Sequence, residues 1–84
     1  MGELDTQAYR VNAFWDAEAS VWVASSDDVP GLVTEADTME RLVAKLKILI
    51  PDLLEANNLL PHAYENVPFH LHTELNDVAA IRSH

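Results

Sequence analysis

The chain contains no cysteine. That excludes disulfide staples, thiolate nucleophiles and cysteine-ligated metal centres, and it fits a reducing compartment. With only two glycines, Gly2 and Gly31, there is no glycine-rich loop to cradle a phosphate. No apolar run approaches the roughly 18–20 residues that a membrane-spanning helix needs. The polar, acidic start MGELDTQAY is unlike a secretory leader. Its Met-Gly opening is a poor myristoylation pattern with Thr6 in sixth place, and Gly2 reads at least as well as an expression remnant. These absences predict a cytoplasmic domain with no membrane association. Bases are scarce as well: 5 against 14 acids, for a net charge of −9. Such a surface repels phosphate backbones, so direct nucleic-acid binding is not expected. A basic protein would be steered toward it, although solubility alone also accounts for acidic charge.

What is present is a core-forming composition, 49% hydrophobic and 23% charged over 84 residues. That is one domain (residues 1–84) with a thin core, because a chain this short buries only about 60–65% of its unfolded surface. Residues 1–8 read as a frayed leader. Tyr9, Val11, Ala13 and Trp15 alternate with Arg10, Asn12 and Phe14, which is the period of a strand. After the polar loop Asp16–Ser20, Val21–Ser25 is β-branched and aromatic, and the short connection makes the two a hairpin. Pro30-Gly31 has the chemistry of a tight turn. Leu32–Ala36 then returns as a third strand.

A helix is predicted from Asp37, capped by its carboxylate, with Glu40 completing a capping box. Met39, Leu42, Val43, Leu46, Leu49, Ile50, Leu53 and Leu54 form one apolar stripe over four turns. Pro51 keeps the stripe in phase and predicts a kink, and the end falls near Asn57-Asn58. Residues 59–66 read as a loop. Val67, Phe69, Leu71 and Thr73 alternate with Pro68, His70, His72 and Glu74 as a fourth strand, and 76–84 form a tail.

The order β-β-β-α-β implies an α+β fold. Three strands form an antiparallel meander, and the helix crosses over so that the fourth strand lies parallel to the first, in order 3-2-1-4, with one long helix on one face. Bulky residues occur on both faces of strands 1 and 2, with Trp22 on one face of strand 2 and Val21 and Val23 on the other. A one-faced antiparallel sheet would alternate cleanly. A homodimer or higher oligomer that buries part of the second face or an edge is therefore expected. Phe14, Trp22 and Val23 are the candidate interface residues, because large aromatics anchor interfaces.

The run WDAEASVWVASSDDVPGLVTEADT, with D-V-P-G-L before V-T-E-A-D-T, resembles the HicB antitoxin superfamily, specifically a small HicB-like branch, over about residues 9–75. The resemblance implies a partial RNase H-like fold, oligomers, and neutralisation of a small basic RNA-cleaving toxin of the HicA type. Typical members carry a C-terminal helix-turn-helix or ribbon-helix-helix module. The nine residues from Asn76 to His84 are too few for one, so operator binding is not expected.

No constellation points to catalysis. An RNase H-like nuclease needs a carboxylate projecting from its first strand toward two metals, and Tyr9–Trp15 has none. Asp16, Glu18, Glu35 and Asp37 lie in loops or near the helix start. His70 and His72 share a strand face with Glu74, and His62 and His84 are the other imidazoles. This H-x-H is a weak metal signal that reads more simply as a polar face. Ser25, Ser26, Asp27 and Asp28 have no nucleophile elbow and read as loop residues bonding their own backbone. Arg41, Lys45 and Lys47 carry three of the five bases and read as a solvated helix surface. The expectation is a non-enzymatic protein-interaction domain with no cofactor and no metal. The alternative is a stand-alone oligomeric domain that binds a small ligand or serves a regulatory role.

Overall fold

The computed structural model of the chain describes residues 8–60, 67–75 and 78–81. Residues 1–7 of the predicted leader (1–8), residues 61–66 of the predicted loop (59–66) and residues 76–77 and 82–84 of the predicted tail lie outside the described residues, as do His62 and His84. Five elements follow in order: β1 (Tyr9–Asp16), β2 (Val21–Ser25), β3 (Val33–Ala36), α1 (Met39–Ala56) and β4 (Phe69–Glu74). They form one four-stranded sheet in the order β3-β2-β1-β4. β2 runs antiparallel to both β1 and β3, whereas β4 runs parallel to β1. This is the α+β architecture that the element order predicts.

The turn between β2 and β3 follows its local chemistry. The Leu32 N–H donates to the Val29 carbonyl at 3.1 Å. Pro30 and Gly31 are the central pair, and Gly31 takes φ +83°, as a type II turn requires at that position. Leu53 Cδ2 would lie 3.7 Å from a Cβ placed there, so conformation rather than space demands glycine.

The helix start differs from expectation. Thr38, not Asp37, is the N-cap: it is extended (φ −131°, ψ 155°) and its hydroxyl accepts from the Arg41 N–H. Asp37 sits one residue earlier and takes the Arg41 guanidinium at 2.9 and 3.1 Å. Both residues can accept first-turn N–H groups, and the one that ends the extended segment takes the role. α1 continues through Pro51 to Ala56. It closes in a Schellman motif, with Asn58 at φ 57°, Leu59 N–H donating to the Leu54 carbonyl at 2.7 Å and Asn58 N–H to the Glu55 carbonyl at 3.1 Å.

Pairing fixes the two faces of the sheet. Ala13 lies opposite Ala24, Trp15 opposite Trp22, and Trp22 opposite Ala36, so these residues share a face with Val11, Tyr9, Leu71 and Phe69. α1 covers that face with Leu42, Leu46, Ile50 and Leu54, each at most 1% exposed. Three alanines beneath the helix let its leucines approach the sheet closely. Val29 and Leu32 fill the end of the core. Among the described residues no polar or charged side chain is buried. Residues 78–81 are exposed.

Candidate interaction surface

The opposite face presents Arg10, Asn12, Phe14 and Asp16 from β1, and Val21, Val23 and Ser25 from β2. β3 adds Val33 and Glu35, and β4 adds His70, His72 and Glu74, by alternation from the core residues. α1 lies on the other side. Register sets the arrangement across strands. Glu35 is opposite Val23, Val23 is opposite Phe14, and Phe14 is opposite Glu74. One row across the whole sheet therefore reads Glu35, Val23, Phe14, Glu74. Neighbours in such a row stand about 4.5–5.5 Å apart at Cβ. Phe14 is 53% exposed and Val33 is 73% exposed, while Val21 and Val23 are half-buried. The result is an apolar centre held between two carboxylates.

Two of the candidate interface residues, Phe14 and Val23, thus lie together on the open face. Trp22 does not. It belongs to the helix-covered face and packs against the core, with its ring edge-on to Trp15 at a centroid distance of 5.4 Å and an interplanar angle of 61°. The sheet pleat separates it from Val23. Trp15 and Trp22, together with Ala17, Asp37, Thr38, Met39 and Leu75, line an open groove of about 670 Å³ at one end of the helix.

The other candidate groups are tied into local structure. Asp16 Oδ1 accepts from the Glu18 and Ala19 N–H groups at 3.1 and 3.3 Å, which makes it the organiser of the β1–β2 loop. Ser26 Oγ donates to the Arg10 carbonyl at 2.5 Å and accepts from the N–H groups of Asp28 and Val29. Asp28 Oδ2 accepts from the Arg10 N–H at 2.8 Å. Ser26 and Asp28 therefore clamp the start of β1 beyond the last paired residues of β2. The serine-aspartate run does bond its own backbone, as expected, but it also reaches back to Arg10. Arg41 is paired with Asp37, and Lys45 Nζ donates to the Glu35 carbonyl at 2.6 Å. His70 and His72 do share the open face, alongside Arg10 and Asn12 respectively. Among the described residues there is no group of three or more His, Asp or Glu that could hold a metal ion, and no helix long and apolar enough to cross a membrane.

Residues 8–82 match the model of a domain of unknown function, DUF1902. The chain belongs to the DUF1902 family. No curated protein matches it. Among solved structures this DUF1902 domain is similar to a hypothetical protein, TTHA1013, from the extremely thermophilic bacterium Thermus thermophilus. The two are 48% identical, with a TM-score of 0.66, over 89% of this chain and all of that one.

The row of acid, valine, phenylalanine and acid is not visible within any one segment of the sequence. Its signal was available in the strand parities of residues 14, 23, 35 and 74, but it appears only once the registers are known.

Proposed function

We propose that this DUF1902 domain is a non-enzymatic, cytoplasmic protein-interaction module that holds a small basic protein against its open sheet face, as a HicB-like antitoxin holds a HicA-type toxin. The observation that carries the reading is the row Glu35, Val23, Phe14, Glu74 in a chain of net charge −9. An apolar anchor ringed by carboxylates suits a partner with an apolar residue flanked by lysine or arginine. It does not suit a second copy stacked face to face. Setting apolar centre on apolar centre would bring Glu35 and Glu74 onto carboxylates of the other copy, which is repulsive.

The test uses a small basic protein encoded beside this gene, purified and titrated by calorimetry. Binding should weaken as salt rises, and the double variant Glu35→Lys with Glu74→Lys should lose at least about tenfold in affinity. No binding, or binding indifferent to the double variant and to Phe14→Ser, would overturn the reading.

The groove beside Trp15 and Trp22 favours a second reading, a small-ligand or regulatory domain. Both tryptophans of the chain line this groove. A ligand there would change intrinsic fluorescence and raise Tm in a screen of metals and metabolites, and a flat response across the panel counts against it.

A further inference from the structure

We propose that the chain pairs with a second copy of itself along the outer edge of β4, in an antiparallel register with the two-fold axis at His72. This goes beyond the partner proposed for the open face, and the two proposals share only the Glu74 side chain.

β4 is paired with β1 on one side only, and among the described residues no strand lies on its other side. The inner ladder is identified by Tyr9, whose N–H donates to the Pro68 carbonyl at 3.0 Å. In a parallel pair the bonding residues alternate. His70, His72 and Glu74 therefore turn their N–H and C=O groups to β1, and Phe69, Leu71 and Thr73 turn theirs outward. Exposed edges of this kind are usually blunted. The opposite edge is: β3 is only four residues long, and Lys45 occupies its Glu35 carbonyl. β4 has six residues, no proline and no charged side chain except Glu74 at its end.

The side chains choose the register. A two-fold axis normal to the sheet keeps each face on its own side, so odd residues pair with odd and even with even. With His72 opposite its own copy, His70 meets Glu74 of the second copy, Leu71 meets Thr73, and Phe69 meets Leu75. The outward backbone groups of residues 69, 71, 73 and 75 then fall opposite one another, as hydrogen-bonded antiparallel pairs require. Leu75, 65% exposed in the single chain, gains an apolar cross-strand neighbour. Moving the axis to Leu71 would set His70 against His72 and lose the histidine–glutamate pairs. The paired sheets run β3-β2-β1-β4-β4-β1-β2-β3. Both Phe14 patches then lie on one side, so a multivalent basic partner would meet two of them at once.

Because the chain lacks cysteine, His72→Cys introduces a single thiol. At a non-hydrogen-bonded position on the axis, two Cα atoms lie about 4.5 Å apart, within disulfide range. The natural chain should run by light scattering at twice its 9.4 kDa mass. His72→Cys should oxidise to a covalent dimer, and His70→Cys should not. Thr73→Pro removes only an outward N–H, so it should give a folded monomer with an unchanged circular dichroism spectrum. His70→Glu should weaken the dimer, and adding Glu74→His should restore it. A monomeric natural chain would overturn the proposal. So would a dimer that survives Thr73→Pro, or one in which His72→Cys does not cross-link.

Discussion

The two faces of this sheet are built from the same strands by opposite rules. The covered face is mainly apolar and carries small residues at its centre, with Ala13, Ala24 and Ala36 in the core with Leu42, Leu46 and Ile50 of α1. The open face mixes Phe14 and three valines with charged and polar residues and, among the described residues, carries no helix. Volume decides the first face, because side chains there interlock at the density of a solid and any change of size is felt. Charge order decides the second, where water tolerates almost any volume and the alternation of acid and apolar groups remains as the distinguishing feature.

Substitutions on each side should therefore behave differently. The largest effect is expected for Leu46→Ala, fully buried on α1, which should cost about 2–5 kcal/mol in urea unfolding. For a chain of this size each kcal/mol corresponds to roughly 4–8 °C in Tm. Ala24→Leu tests the same face from beneath. It crowds the helix instead of leaving a void and should cost about 1–3 kcal/mol. If Ala24→Leu is neutral, the close approach of α1 to the sheet is wrong. Thr38→Ala removes the cap of that helix and should cost about 1 kcal/mol. Asp37→Ala, which removes only an exposed ion pair, should cost well under that. An equal loss from both would return the capping role to Asp37. Smallest is Phe14→Ser on the open face, where about 0.5 kcal/mol of stability change is expected. The same variant should abolish partner binding, and a large Tm loss would show that Phe14 is structural after all.

Much of the fold is legible in the sequence, for identifiable reasons. The helix stripe, the Pro30-Gly31 turn and the end at Asn57-Asn58 are local patterns, each set by residues within a few positions of one another. The strand order followed from short connections and one crossover. The cap was legible only to within a residue, since Asp37 and Thr38 both have accepting oxygens and the choice depends on where the extended segment ends. The Ser26 and Asp28 clamp on Arg10 was not legible, because its partners are 16 and 18 residues away. The same holds for the candidate surface. Alternation along β2 already set Trp22 on the face opposite Val21 and Val23, but which of the two faces α1 covers, and therefore that Phe14 and Val23 share the open one, depends on the pairing of distant strands.

The sequence by itself determined the kinds of element, their order, the acidic charge and the lack of cysteine, of a glycine-rich loop and of a long apolar run. These depend on composition and on spacings of two, three and four residues. Only the tertiary structure decided which aromatic faces solvent, which acids stand beside Phe14 and which strand keeps an open edge. The physical reason is register. A slip of one residue between two strands inverts every side chain, and what holds that register is the sum of many distant contacts under α1, none of which is written in any single segment.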